Sequence, residues 1–252
     1  MVERLLVING CSHSSGSETE GPGIGDSFLC RDLSFGSLLA RYLNRKPIHL
    51  ALPGGSNDFI ARSTACWIGN NIDKIRNKEI DVIFLIHWTS YERWEYRFNS
   101  DFDDGLYFFM DYVPDSDYKS FTPGSQDKYT TPFKTKLYKF FQRVFADNIE
   151  FWSDNKLKNV VFTQELLKQN DIKYWFGNTV DTFYESDTAN SLLRFLDKTY
   201  YPYYRTRSKS FYWAGKKAGF DNQSRHIWHL PKEAHIWYTD FLIEEFKKAG
   251  LN

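Results

Sequence analysis

Ser12 follows a short apolar run, Val7-Ile8-Asn9, through Gly10 and Cys11. His229 stands near the other end of the chain, in His226-Ile227-Trp228-His229-Leu230-Pro231. A hydroxyl on a small-residue turn and an imidazole able to take its proton are the two moving parts of nucleophilic acyl transfer. That chemistry also needs donors for the negative charge that collects on the acyl oxygen. Candidates lie in Leu52-Pro53-Gly54-Gly55-Ser56-Asn57-Asp58, where Gly55 lets a backbone N–H approach closely and Asn57 adds an amide.

The elements that must hold these groups read as alternating strands and helices. Residues 4–9 form an apolar run ended by Gly10, and residues 47–52 form a second. Residues 80–88 form a third, whose unbroken Val82-Ile83-Phe84-Leu85-Ile86 predicts a parallel strand covered on both faces. Residues 172–176 make a fourth. Between them, Ser34 caps a helix over 35–44, and Ser56 or Asn57 caps one running to about 77. A helical zone spans 133–169, a shorter helix 188–198, and Pro231 opens a last helix to 249. Residues 11–33 and 199–213 read as loops. The fold class is therefore α/β: a three-layer α/β/α sandwich on a mostly parallel, flavodoxin-like sheet. No linker divides the chain, so residues 1–252 are expected to form one domain. An aromatic-rich insertion at about 91–132 follows strand three and reads as a lid or an interface element.

Taken with these blocks, the chain resembles the SGNH, or GDSL-like, hydrolase superfamily, and more narrowly the divergent SGNH-like proteins of tailed bacteriophages. Gly10-Cys11-Ser12 occupies the place of that family's Gly-Asp-Ser, with Cys11 where the aspartate stands. The resemblance implies that Ser12 is the nucleophile and its N–H an oxyanion donor, that Gly55 gives a second donor, and that His229 is the base. The family's Gly-x-Asn-Asp is absent, and Thr89 stands at the asparagine's place. A threonine hydroxyl, Asn57 or Arg93 would have to substitute. The family's Asp-x-x-His puts an aspartate three residues before the histidine, where this chain has His226. Asp221 is then the nearest upstream carboxylate to orient His229, with a backbone carbonyl as the alternative.

The implied activity is an SGNH-like serine hydrolase cleaving an ester, an O-acyl group on a carbohydrate being the favoured substrate, with Arg93 binding an anionic part of it. The alternative is a non-catalytic binding or structural protein of a bacteriophage on the same fold. The changes at Cys11, Thr89 and His226 favour that alternative. The aromatic excursion and the Tyr200-Tyr201-Pro202-Tyr203-Tyr204 run serve equally as ring-stacking surfaces or as a subunit interface, which leaves a homo-oligomer open.

His87 reads as a core histidine and His235 as a structural residue of the last helix. His226, His229 and His235, with His13 or His87 nearby, match no standard zinc spacing, so no metal is expected. No phosphate-binding glycine motif is present, and no cofactor is expected. Across 252 residues, 32 basic side chains balance 32 acidic ones, which argues against a dedicated nucleic-acid partner. Three cysteines in no paired spacing argue against a disulfide framework. With no stretch of membrane-span length, the expected setting is cytoplasmic: the host cytoplasm, or the virion if phage-encoded.

Overall fold

The computed structural model describes residues 2–21, 27–91, 93–97, 118–121, 149–183, 186–223 and 228–252. Four strands, β1 (Glu3–Asn9), β2 (Lys46–His49), β3 (Ile80–Trp88) and β6 (Lys173–Asn178), form an all-parallel sheet in the order β2-β1-β3-β6. Two further strands, β4 (Trp94–Arg97) and β5 (Tyr118–Phe121), pair antiparallel as a separate ribbon after β3. The register sets Leu5 beside both Lys46 and Val82, and Ile83 beside Lys173.

Successive residues of a strand face opposite sides, and here both sides are apolar. Leu5, Val7, Val82, Phe84, Ile86, Tyr174 and Phe176 face one layer. It is covered by α4 (Asn57–Arg76), α5 (Ile149–Gln169) and α6 (Asp187–Leu192), through Ile60, Ile68, Leu157, Val160, Leu167 and Ala189. Leu6, Ile8, Ile83, Leu85 and Trp175 face the other. That face is covered by α3 (Phe35–Tyr42), α7 (Phe211–Lys217) and α8 (Lys232–Lys248), through Phe35, Leu39, Phe211, Tyr238, Leu242 and Phe246. The continuous apolar reading of the central strands thus has its physical cause: each is sandwiched between helices.

Serine caps start the helices as expected. The Ser34 hydroxyl accepts from the Ser37 N–H at 3.3 Å, and the Ser56 hydroxyl from the Phe59 N–H at 3.0 Å. The cap of α4 is Ser56, which leaves the Asn57 side chain for another task. Several expectations need correction. Residues 11–33 hold two short helices, α1 (Ser12–Ser15) and α2 (Phe28–Leu33). Helix 188–198 is shorter, ending in the 3₁₀ turn Leu193–Phe195, and 199–213 contains a 3₁₀ turn, Arg207–Lys209, and the start of α7. β2 stops at His49: the Leu50 N–H makes the last ladder bond, to the Ile8 carbonyl, and the Ala51 N–H turns back to that same oxygen instead of making a further rung. The stretches 98–117 and 122–148, which contain most of the expected insertion and the start of the helical zone, lie outside the described residues.

The strand order puts a topological reversal between β1 and β3. From β1 the chain goes out to β2 on one side, then crosses back over β1 to β3 on the other. Parallel sheets bind ligands outside the carboxyl ends of strands at such a reversal, and here the two strands flanking it end in Gly10-Cys11-Ser12 and Thr89-Ser90-Tyr91.

Candidate active site

β1 ends in a tight passage that only glycine fits. A Cβ at Gly10 would stand 2.2 Å from the Ser14 hydroxyl and 2.9 Å from the His87 carbonyl oxygen. Asn9, just before it, is anchored to α4 by amide bonds to the Ile60 carbonyl, Ser63 and Thr64, and accepts the Gly10 N–H at 2.8 Å. Cys11 takes the cap position, and Ser12 opens α1. As the first helical residue Ser12 has no intrahelical acceptor for its N–H, so that donor is left at the helix start. The Ser12 carbonyl accepts from the Ser15 hydroxyl and the Ser17 N–H, both at 3.0 Å, which holds the turn behind the candidate nucleophile.

The chain then turns sharply. Gly16 has φ +76°, and a Cβ there would stand 2.2 Å from the Cys30 carbonyl oxygen. Glu18 follows with φ +66°, a left-handed conformation uncommon for a glutamate. Its side chain is 2% exposed, and its Oε2 lies 3.4 Å from the His229 Nδ1. A carboxylate this close to Nδ1 favours a proton on that nitrogen through its charge; the two atoms approach as an ion pair and not as an aligned hydrogen bond. Burial holds the His229 imidazole below its ordinary value, Glu18 pulls the other way, and the Arg93 charge adds to the lowering. The net shift is downward, which favours the neutral ring.

His13, next to Ser12, completes the meeting of the two chain ends. Its ring centroid is 5.2 Å from that of His229, edge to face. Burial, together with the charges of His229, Arg93, His235 and His87, pushes His13 well below the usual range. Its neutral ring packs against Phe211 and Tyr212. Trp228, exposed, stacks nearly parallel on Tyr212 at 5.4 Å, immediately before His229 in the chain.

The other expected residues fall as follows. The Gly55 N–H donates to the Leu52 carbonyl at 2.9 Å, closing its own turn. The buried Asn57 side chain clamps the segment after β3: its Nδ2 donates to the carbonyls of Ser90 (3.0 Å) and Thr89 (3.4 Å), and its Oδ1 accepts the Thr89 N–H (3.0 Å). Thr89 is buried, and the buried Nη1 of Arg93 has no hydrogen-bond partner among the described residues. Asp221 is 95% exposed and pairs with Lys216 at 2.9 Å. The carboxylate against His229 is therefore Glu18 rather than Asp221, because the 219–223 turn carries Asp221 out to solvent. His226 lies outside the described residues. No local pattern marks Glu18, which sits in a Gly/Ser-rich stretch with no periodicity. The usable signal is an acidic residue within reach of Ser12 in a chain whose His226 leaves His229 without an aspartate.

His87 and His235 are both structural. His87 Nε2 meets the Tyr238 hydroxyl at 3.2 Å, and His235 Nδ1 accepts the Phe35 N–H at 3.2 Å. Burial pushes each down to about 3. Cys11 is fully buried, its Sγ 3.7 Å from the Thr179 hydroxyl. Burial raises its thiol, but the Arg93 charge and hydrogen bonds from Thr89, the His13 backbone and Thr179 outweigh it and leave a net lowering. Among the described residues no three His, Cys, Asp or Glu side chains group as a metal site, and no helix is long and apolar enough to cross a membrane.

No family model and no curated protein matches the chain. Solved structures similar to it include a psychrotrophic esterase from Pseudoalteromonas sp. inhibited by monoethylphosphonate, at 11% identity, covering 99% of this chain and 100% of that one, with a TM-score of 0.43. A carbohydrate esterase, described as displaying divergent catalytic and non-catalytic binding functions in its active site, is 11% identical over 97% of this chain and 68% of that one, with a TM-score of 0.44. An alpha/beta hydrolase from the metagenome of Lake Arreo, Spain, is 13% identical over 100% and 98%, with a TM-score of 0.35. At that level of superposition, what those proteins do does not transfer to this chain.

Proposed function

We propose that this chain is a serine hydrolase of SGNH type that cleaves an ester, its substrate an O-acyl group on a carbohydrate. The observation that carries the reading is the buried Glu18 carboxylate 3.4 Å from the His229 Nδ1, reached from the same turn that presents Ser12. In this scheme the Ser12 hydroxyl attacks the acyl carbon and gives its proton to His229. The tetrahedral adduct collapses, the alcohol leaves with that proton, and an acyl-serine remains. Water, deprotonated by the same imidazole, then releases the acid and restores Ser12. Glu18 keeps the imidazole in the working tautomer and stabilises its charged form.

Support for a sugar ester comes from Trp228 and Tyr212. An exposed indole stacked on a phenol beside the proposed base is a flat apolar surface with a polar edge, which suits a sugar ring. The test is release of acetate from a peracetylated monosaccharide by wild type, Ser12→Ala and His229→Ala. Turnover by wild type that both substitutions abolish supports the reading; equal release by all three rejects it. A second reading, a ligand-binding protein without turnover, is favoured by one observation: the Gly55 N–H and the Asn57 amide, expected to face the acyl oxygen, are both engaged with backbone carbonyls.

A further inference from the structure

Between Lys198 and Lys217 the chain carries Lys198, Arg205, Arg207, Lys209, Lys216 and Lys217 and no acidic residue, although its charges balance overall. Residues 205–209 are exposed throughout, in the stretch that runs through the Arg207–Lys209 turn towards α7. A run of one sign in a neutral chain makes a surface that attracts the opposite sign.

Aromatic rings hold these cations in place. The Arg207 guanidinium lies 4.3 Å from the Trp213 ring centroid. Lys209 Nζ lies 5.7 Å from the centroid of Tyr203 and 5.6 Å from that of Phe241. Lys198 Nζ and the Arg205 guanidinium lie 5.7 and 5.8 Å from the Tyr204 centroid. A ring beneath a cation fixes the side chain without using up its N–H donors. Carboxylates offset only part of the charge. Asp181 pairs with Arg207 at 3.3 Å and Asp221 with Lys216 at 2.9 Å, whereas Lys198 and Lys209 have no ion-pair partner among the described residues.

Two chains of contacts join this surface to the candidate active site. Trp213, under Arg207, meets Tyr212 at 5.2 Å, and Tyr212 meets both Trp228 at 5.4 Å and His13 at 6.1 Å. Asp181, the partner of Arg207, also accepts the Ser90 hydroxyl at 3.0 Å, just beyond the carboxyl end of β3.

We propose that this ring-backed basic surface binds an acidic polysaccharide, with its carboxylates on Arg207 and Lys209 and a neighbouring sugar on the exposed Trp228. The O-acyl sugar then becomes one unit of an anionic chain. That assignment of the ester rests on the serine-hydrolase reading; the binding does not. Single-stranded nucleic acid is the poorer match, because it needs open ring faces on which to stack its bases. Here one face each of Tyr203, Tyr204 and Trp213 is taken by the protein's own cations.

The experiment measures binding of the full chain to polygalacturonate, with neutral dextran and polyuridylate as comparisons. Polygalacturonate carries no ester, so the readout is independent of turnover. Wild type is expected to bind it and not dextran, and to bind more weakly as salt rises from about 0.05 to 0.5 M. The double variant Arg207→Gln/Lys209→Gln is expected to bind about tenfold more weakly, the scale of losing two exposed charge pairs. Arg207→Lys/Lys209→Arg, which keeps both charges, should retain most of the affinity, and this separates loss of charge from failure to fold. No binding of polygalacturonate, or equal affinity in wild type and the double Gln variant, would overturn the proposal. Tighter binding of polyuridylate than of polygalacturonate would also overturn it and make this a nucleic-acid surface. A wild type that binds polygalacturonate but cleaves neither its O-acetylated form nor any other ester would support the surface and overturn the hydrolase reading alone.

Discussion

Glu18 Oε2 and His229 Nδ1 stand 3.4 Å apart, joining the turn after the first strand to the approach of the last helix. The glutamate accepts a left-handed backbone to make this approach. Strained residues of this kind persist where the surroundings over-determine them, and such places are enriched in functional sites. The carboxylate raises the His229 pKa against the lowering by burial.

Glu18→Gln should therefore change both rate and pH dependence. Losing the carboxylate is expected to lower kcat by ~100- to 10,000-fold, as for other histidine-orienting acids. The acidic limb of the kcat/KM profile should move to lower pH, because the charge that raises the imidazole pKa is gone. Glu18→Asp should recover part of the rate. A profile that loses height without moving would point to a structural role only.

Gly16 sets up that turn. Its φ is +76°, and the Cys30 carbonyl oxygen lies 2.2 Å from where a Cβ would stand, which leaves no room for a side chain. Gly16→Ala should destabilise the protein by about 1–3 kcal/mol and reduce turnover further, as Glu18 is displaced. Denaturant melts with parallel rate measurements check this.

Asn57→Ala removes three bonds to the segment after β3. A loss of about 1–3 kcal/mol is expected from the buried groups left unpaired, read from urea melts. Asn57→Asp, which sets a buried carboxylate oxygen against the Thr89 and Ser90 carbonyls, should lose at least as much stability as Asn57→Ala at neutral pH.

Acid should weaken the fold through two buried histidines that pack in the core beneath the candidate site. His87 and His235 are lowered to about 3 by burial, against ~6.5 in the unfolded chain. The unfolded state then binds more protons between those values, so stability falls as pH drops from about 6.5 towards 3, by up to ~1.4 kcal/mol per pH unit for each residue. Urea melts across that range test the slope, and substituting either histidine with an uncharged residue should flatten it.

Lys156 gives the same sign at alkaline pH. It is buried, donates to Asn178 and to the Asp181 carbonyl, and burial lowers it to about 7. Unfolded lysine titrates near ~10.4, so the unfolded state holds the extra proton between about 7 and 10, and stability from this residue rises with pH there. Lys156→Met should reduce that slope relative to wild type.

Much of the scaffold is legible because its strands are buried on both faces. Residues 80–88 carry an unbroken apolar run that only a sandwiched strand explains, and β3 occupies the same span. Ser34 and Ser56 announce their helices through cap chemistry that acts within three residues. The short helices α1 and α2 are not legible, because their serine-rich sequences form a local hydrogen-bond mesh rather than an amphipathic stripe. The site is legible in part. Ser12 and His229 stand out by type and position, and His13 and His229 do meet. Asn57 reads in the sequence as a donor to substrate, whereas its partners are backbone groups of a distant segment, a pairing no local pattern encodes. Glu18 is invisible for the same reason: its meaning depends on a residue at the far end of the chain.

The most direct measurement is mass spectrometry of the protein after reaction with a fluorophosphonate, with the adduct mapped to one residue. A single phosphonylation on Ser12, lost in Ser12→Ala and strongly slowed in His229→Ala and Glu18→Gln, is the predicted result. No adduct between about pH 7 and 9, where a histidine of ordinary or lowered pKa is mostly neutral, or an adduct on another side chain with Ser12 untouched, would contradict it.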